Sequence, residues 1–333
     1  MRLDLVVPHL LLPRDARDAF AMPRLPFLER LFARGDRLPV VPLGYAQAMA
    51  RRFGLPGERL PIAALTLAGD DQPRPGHWLR ADPVHLAVER DALVLRGAAT
   101  LAPDEAEAAA LASALNAHFA TDGLELLAPR PARWYLRLPE GEMPVTTPLD
   151  EAVGRNVFGR LPQSSGRINW RSLVTEAQMV LSAHEVNLRR ERAGQLPINS
   201  LWLWGEGAMP GTLRTAHDAV FADEPMARGL ATLAGLGAKS PLDIGGILRS
   251  GAASSLAVAD ALSGPWHRGD PDEWRAAAEA LDRLLFRPAW EGLGEFTALA
   301  IHLPSPGRTI AAQAAASARW RFWRGAGAID RNA

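Results

Sequence analysis

Residues 199–204 form an apolar run, NSLWLW, that closes on Gly205-Glu206-Gly207 directly after a helical stretch over 170–193 stopped by Gly194 and Pro197. A helix that hands the chain through a short link to a nearly unalternating apolar strand is the pattern of a layered α/β core. Only a strand covered on both faces can do without polar positions. Residues 2–7 (RLDLVV) repeat the theme at the other end and stop at Pro8. Helical fragments over 24–53 are interrupted by Pro26, Pro39 and Pro42. The middle of the chain reads differently. VHLAVE and ALVLRG flank a polar turn at Arg90-Asp91 and predict a hairpin. A helix is expected from Asp104, with acidic residues in its first turn and Leu111, Leu115 and Phe119 on its buried face. Strands are expected over 124–127 and 133–138, and the Pro-, Gly-, Ser- and Asn-rich 139–169 reads as a long loop.

Further on, Trp274, Ala278, Leu281 and Leu285 mark one face of a helix over 272–286, and 295–303 with 308–312 reads as a hairpin. No internal repeat is visible. Strands and helices alternate toward both ends, with a hairpin-rich block between them. The expected architecture is therefore an α/β core with an inserted α+β subdomain. The turn-rich 69–77 is the candidate boundary, which gives 1–75 and 171–333 to the core and 76–170 to the insertion.

Charge and composition narrow the function classes. Lys plus Arg and Asp plus Glu are 37 each in 333 residues, so the formal net charge is zero. That argues against whole-surface attraction to nucleic acid or anionic lipid, and neither a nucleic acid nor a membrane is an expected partner. The absence of cysteine excludes a disulfide framework, thiolate metal sites and a Cys nucleophile. It fits a reducing compartment, and a soluble, cytoplasmic protein is expected. The apolar 3–12 is interrupted by Asp4, Pro8 and His9 with no small-residue cleavage site after it, so a signal peptide is not expected. No apolar run reaches membrane-spanning length. Lys239 is the single lysine among the basic residues, which reads first as compositional bias and second as phosphate recognition.

The densest constellation spans 176–207. A helix bearing His184, Asn187, Arg189 and Arg190 leads to the strand end at Asn199 and Trp204, with Gly205 and Gly207 at its exit. Strand ends in α/β sheets are where sites form, and glycines there allow close backbone approach. The competing reading makes the tryptophans core and the glycines a tight turn. Arg80 and Asp82 either clamp an anion and orient His85 or form an internal ion pair. The eight histidines are scattered without HxH, HxxxH or HExxH spacing, so no metal site and no cofactor is expected. Phosphate loops and a G-x-S-x-G elbow are also missing, and Ser164-Ser165-Gly166 reads as a loop. The segment RWRFWR over 319–324 alternates cations and aromatics. It is either a stacking or surface-binding element, or an edge strand that buries Trp320 and Phe322 or its opposite face.

Taken together, QMVLSAHEVNLRRERAGQLPINSLWLWGEG, GHWLRADPVHL and the RWRFWR tail resemble the RpfE-type regulatory proteins of proteobacteria. More distantly, Leu203-Trp204-Gly205-Glu206-Gly207 and LRADPVHLAVERDALVLRG resemble the archaeal-type cofactor-independent phosphoglycerate mutases of the alkaline phosphatase superfamily. The resemblance implies a shortened alkaline-phosphatase-like sandwich. It also implies where catalytic groups should stand, and other residues stand there. The Asp-Gly metal motif is replaced by Val7-Pro8-His9, and the region of the catalytic Ser by Gly44-Tyr45-Ala46-Gln47. Arg133-Trp134-Tyr135 stands for a Tyr-Arg-His run, Thr147-Pro148-Leu149-Asp150 for a Pro-His-Asp, and His302 lacks its Asp neighbour. Losing nucleophile and metal ligands together removes most of the catalysis. The expectation is a non-catalytic regulatory or ligand-binding protein. Its ligand would be a small anionic metabolite held near Arg80, His184, Arg189, Asn199, Trp204, Gly205 and Gly207, or it would bind a protein partner. The alternative is an active metal-dependent phosphomutase or phosphatase with relocated ligands.

Overall fold

The computed structural model describes residues 1–333 except 14–15, 91, 140, 143, 163–166, 241–242, 326–328 and 330–333. By contact the chain divides into two units, Met1–Glu58 with Gly211–Ala333, and Arg59–Pro210. The boundaries expected from composition were 75/76 and 170/171. The contacts instead group the helix Ile62–Gly69 and the whole segment around Trp204 with the inserted unit. In chain order the strands are β1 (Arg2–Val6) and β2 (Asp36–Val41), then β3 (His77–Glu89), β4 (Ala92–Arg96), β5 (Glu125–Arg130), β6 (Arg133–Leu138) and β7 (Ser200–Ala208). They continue with β8 (Ala219–Ala222), β9 (Ala238–Lys239), β10 (Ser254–Val258), β11 (Ala298–Ser305) and β12 (Arg308–Ala314).

In the first unit the sheet order is β2-β12-β11-β1-β10-β8-β9. The centre, β11-β1-β10-β8, is parallel, and β12 and β2 add antiparallel strands on one side. Parallel strands lie buried on both faces, which is why β1, β8 and β10 read as apolar runs. Leu3 and Leu5 of β1 join Leu299 and Ile301 of β11, Trp274 and Phe286 in one core, on one face of the sheet. The opposite face carries Asp4 and His302 under the helix Tyr45–Arg52, which packs on β11, β12 and the helix Pro225–Leu233. The helix expected over 272–286 is regular only over Pro271–Leu281, and a π-helical turn follows at Asp282–Phe286. The buried Asp282 carboxylate accepts the backbone N–H groups of Phe27 at 3.2 Å and Leu28 at 2.9 Å, at the start of the helix Pro26–Arg34.

The inserted unit is a five-stranded antiparallel sheet. The 13-residue β3 pairs β4, β6 and β7, and β6 pairs β5. Leu79 and Ala81 of β3 face Leu111, Leu115 and Phe119 of the helix Glu105–Phe119 and Trp170 and Ala177 of the helix Trp170–Ser182. Trp78 and Tyr135 face the helix Ile62–Gly69 on the other side. The helix starts at Asp104 as the acidic first turn predicted, and Asp104 and Glu107 form a capping box there. The β3–β4 hairpin is present, with Asp91 of its expected turn outside the described residues. Ser164-Ser165-Gly166, expected to be a loop, also lies outside the described residues. The helix expected over 170–193 is two helices, Trp170–Ser182 and Glu185–Arg192. His184 leaves helical geometry with ψ 138° and N-caps the second. The strand expected to close at Trp204 runs on through the glycines to Ala208. Gly205, at φ 70°, allows this beside a bulge in the β3–β7 register.

Candidate functional site

In the inserted unit, Arg80, Asp82, Trp204 and Tyr135 meet in one buried polar layer. The Arg80 guanidinium donates Nε at 3.0 Å and Nη2 at 2.5 Å to Asp82. It lies 5.3 Å from the ring centroids of both Tyr135 and Trp204. Trp204 Nε1–H donates to the other Asp82 oxygen at 2.7 Å. Tyr135 donates to Asp70 at 2.7 Å, and Arg133 and Arg130 close on the same carboxylate. Burial pulls the Arg80 guanidinium down, but the charges of Asp82 and Tyr135 and the hydrogen bond to Asp82 together leave the net shift upward. Burial pushes Asp70 up, and the hydrogen bond and charge of Arg133 bring it below the usual carboxylate range. Three guanidiniums here answer Asp82, Asp70 and Asp71, which leaves no net positive charge for an anion.

The other residues expected at this site have separate tasks. Asn199 continues the β7 ladder with its side chain, accepting from Leu86 N–H at 2.8 Å and donating to Leu86 O at 3.1 Å. His184 Nδ1 accepts from Val186 N–H as a helix cap. Arg189 is exposed on the helix Glu185–Arg192, whereas Arg190 is buried and bonded to Glu107 and Leu101 O. Gly205 and Gly207 face the start of the helix Ile62–Gly69. A Cβ on Gly207 would sit 2.5 Å from Pro61 Cβ. Their close approach is to the protein's own backbone. The structure thus brings Arg80, Trp204, Gly205 and Gly207 to one neighbourhood and puts His184, Arg189 and Asn199 elsewhere.

The first unit carries a second constellation, at the carboxyl ends of its parallel strands, where open α/β sheets hold their ligands. β1 runs out through Val7 and Pro8 to His9, held at φ 57°. β8 ends at Asp223-Glu224 and β10 at Ala259-Asp260. Tyr45, first residue of its helix, donates its hydroxyl to Glu224, which also accepts Met226 N–H at 2.9 Å and Ala227 N–H at 2.7 Å. Burial raises the Tyr45 phenol well above its ordinary value, and the charges of Glu224 and Asp260 push the same way. The Ser263 hydroxyl donates to Asp260, and that of Ser240 donates to Asp223 at 3.2 Å. The His9 and His267 rings meet edge to face at 5.3 Å. Chemically this edge offers carboxylates, a phenol locked as a donor, and two imidazoles, half of a tetrahedral ligand set. Scanning for local spacing missed it, since Tyr45 and Glu224 are 179 residues apart. The only signal available was that Pro8, Asp223 and Asp260 each follow an apolar run.

No protein-family model matches the chain. A probable 2,3-bisphosphoglycerate-independent phosphoglycerate mutase of Geobacter sulfurreducens is 28% identical over 164 residues, 47% of this chain and 41% of that protein. An enzyme of that name from Methanothermobacter thermautotrophicus is 42% identical over 64 residues, 19% of this chain and 16% of that protein. The matches thus span less than half the length of these relatives. The solved PH0037 protein of Pyrococcus horikoshii superposes with a TM-score of 0.53 at 16% identity, over 93% of this chain and 86% of that one. Over these stretches the chain is distantly homologous to the 2,3-bisphosphoglycerate-independent phosphoglycerate mutases, and its α/β fold resembles that of the PH0037 protein.

Proposed function

We propose that the protein is a regulatory or ligand-binding descendant of phosphoglycerate mutase-like enzymes that does not transfer phosphoryl groups. One observation carries the reading. Tyr45 lies in the region, Gly44-Tyr45-Ala46-Gln47, that the resemblance compares with that of the serine nucleophile, and its hydroxyl is donated to Glu224 with its pKa pushed well up. A neutral phenol held as a donor beside two carboxylates is a poor nucleophile, and the same charges repel an incoming phosphate. The likeness of 176–207 and of the tail to RpfE-type regulatory proteins favours the regulatory side. For the small anionic metabolite, the cations exposed in that segment are Arg189 and Arg192, whereas Arg80 is neutralised by Asp82. A second reading has its own support. His9 and His267 put two imidazoles at the carboxyl edge, as relocated ligands of a metal-dependent phosphomutase or phosphatase would. The test is conversion of 3-phosphoglycerate to 2-phosphoglycerate with Mn²⁺ or Zn²⁺ supplied, alongside elemental analysis. We expect no turnover and no stoichiometric metal. Turnover on the order of 10 s⁻¹, typical of enzymes, would overturn the proposal.

A further inference from the structure

The tail over 316–324 is not an edge strand. It is a 3₁₀ turn, Ala316–Trp320, followed by an irregular stretch, and its aromatics face outward. Trp320, Phe322 and Trp323 are 75%, 74% and 70% exposed. The arginines turn inward onto two helix ends. Arg319 Nη2 donates to Trp290 O and Glu291 O at the end of the helix Arg287–Glu291. Arg321 Nη1 donates to Arg34 O at 3.1 Å and Arg324 Nη1 to Gly35 O at 3.0 Å, at the end of the helix Pro26–Arg34. Orphan carbonyls at helix C-termini are natural acceptors for such cations. The contacts fix the backbone of the tail and so hold the three aromatic side chains in solvent.

Two features say what this surface fits. First, it is basic within a neutral chain. Arg321 and Arg324 share one carboxylate, Asp36. Among the described residues Arg34, Arg37 and Arg319 make no ion pair. Arg34 and Arg37 lie over the rings of Trp290 and Phe32. Arg37 and Arg324 also line a cleft of about 520 Å³ with Phe32 and Asp36. Second, each tail arginine uses a single terminal nitrogen, so the rest of its fork remains available for a carboxylate. Trp and Arg together are also the residue types that dominate protein interfaces.

We propose that this face docks an acidic segment of a partner protein, its carboxylates meeting the arginine forks and its apolar side chains covering Trp320, Phe322 and Trp323. The proposal goes beyond the reading of Tyr45 and does not rest on it. Single-stranded nucleic acid is disfavoured because Phe322 and Trp323 pack edge to face at 79°, which denies successive bases parallel stacking faces. A lipid surface is disfavoured because the exposed Asp36 carboxylate sits among the arginines and would face anionic headgroups. The test is fluorescence anisotropy with the full chain and a short labelled peptide of alternating glutamate and leucine. We expect saturable binding that weakens with salt, and about a tenfold loss in W320A/W323A and in R37E, whose melting temperatures stay at the parent value. Equal affinity for a glutamine–leucine peptide would overturn the proposal. So would no binding, or binding only to oligothymidylate or to phosphatidylserine vesicles.

Discussion

His302 on β11 donates its Nε2–H to the Asp4 carboxylate on β1 at 2.9 Å, with side-chain exposures of only 12% and 6%. Asp4 lies on the face opposite Leu3 and Leu5, so the apolar first strand carries one buried charge. His217 brings Nδ1 to 4.0 Å from the same carboxylate and 3.2 Å from Ser254 Oγ, and Arg2 lies 3.4 Å from it. A buried carboxylate persists only when paired and hydrogen-bonded, and here imidazoles supply most of that. The bond to a carboxylate fixes His302 as the Nε2–H tautomer.

This cluster makes stability depend on pH. Burial depresses both His302 and His217, reinforced by the positive field of Arg52 and Arg2 and opposed by Asp4. Burial pushes Asp4 up, but the His302 hydrogen bond and the surrounding positive charge leave it below its ordinary value. All three folded values lie below the unfolded ones, so the unfolded chain binds more protons as pH falls. The contribution is therefore present above the ordinary histidine value of 6.5 and lost below it, with the Asp4 part lost below 3.8. Urea unfolding should give a stability that declines from about pH 7 to 5, and His302→Gln should flatten that slope. Equal slopes in parent and variant would remove His302 from the account.

The Arg80–Asp82 pair separates scaffold from ligand site. Arg80→Met leaves a buried carboxylate with only the Trp204 indole N–H as its partner among the bonds described. The expected cost is about 3–5 kcal/mol, and the double variant Arg80→Met/Asp82→Asn should recover much of it. Denaturant midpoints for the parent, Arg80→Met, Asp82→Asn and the double variant decide the matter. A stable Arg80→Met that loses affinity for 3-phosphoglycerate would instead make Arg80 a ligand contact.

What the sequence disclosed followed from local periodicity. The hairpin of β3 and β4, the capped helix Glu105–Phe119 and the apolar strands β1 and β7 each carry their signal within a short window. The split of the 170–193 helix was hidden, because His184 caps through its ring, a role that Ser, Asp or Asn usually fills. The polar clusters were less legible still. Asp4 and His302 are 298 residues apart, and their meeting is a consequence of β1 and β11 being neighbours. The tail reads equally as a surface-binding element or as an edge strand burying one face or the other, and it is a 3₁₀ turn with an irregular stretch after it. Alternation cannot say which half of the side chains turns inward, and here helix-end carbonyls captured the arginines.

The glycines of β7 give a sharper test of the same segment. In Gly207→Ala the new Cβ would lie 2.5 Å from Pro61 Cβ and 2.7 Å from Pro61 Cα, a rigid ring that cannot yield. Overpacking of this kind costs about 1–3 kcal/mol. Gly205→Ala forces an L-residue to φ 70° and meets Ile62 Cβ at 3.1 Å, for about 1–2 kcal/mol. Gly211→Ala, with nothing within 4 Å, should stay within about 0.5 kcal/mol of the parent. Thermal unfolding ranks the three variants, and an unperturbed Gly207→Ala would show that β7 does not press on Pro61.

The chain holds two tyrosines, and both are expected to resist ionisation, which makes their titration a direct readout of the carboxyl edge. Burial raises Tyr45 well above its ordinary value of 10, with Glu224 and Asp260 adding to the shift. Burial also raises Tyr135, against the opposing charge of Arg80 and with Asp70 helping. A raised phenol stays protonated when folded while the unfolded chain ionises, so its contribution to stability is present below about pH 10 and lost as pH rises further. The native protein should show almost no phenolate absorbance at pH 10, and about half of the full absorbance on adding denaturant. In Tyr135→Phe the remaining signal belongs to Tyr45 alone. Glu224→Gln then removes one of the two charges that hold Tyr45 up, and the phenol should titrate earlier. A Tyr45 that ionises near pH 10 in the folded state would show that its hydroxyl is not held on Glu224. The argument against a nucleophile at that position would fall with it.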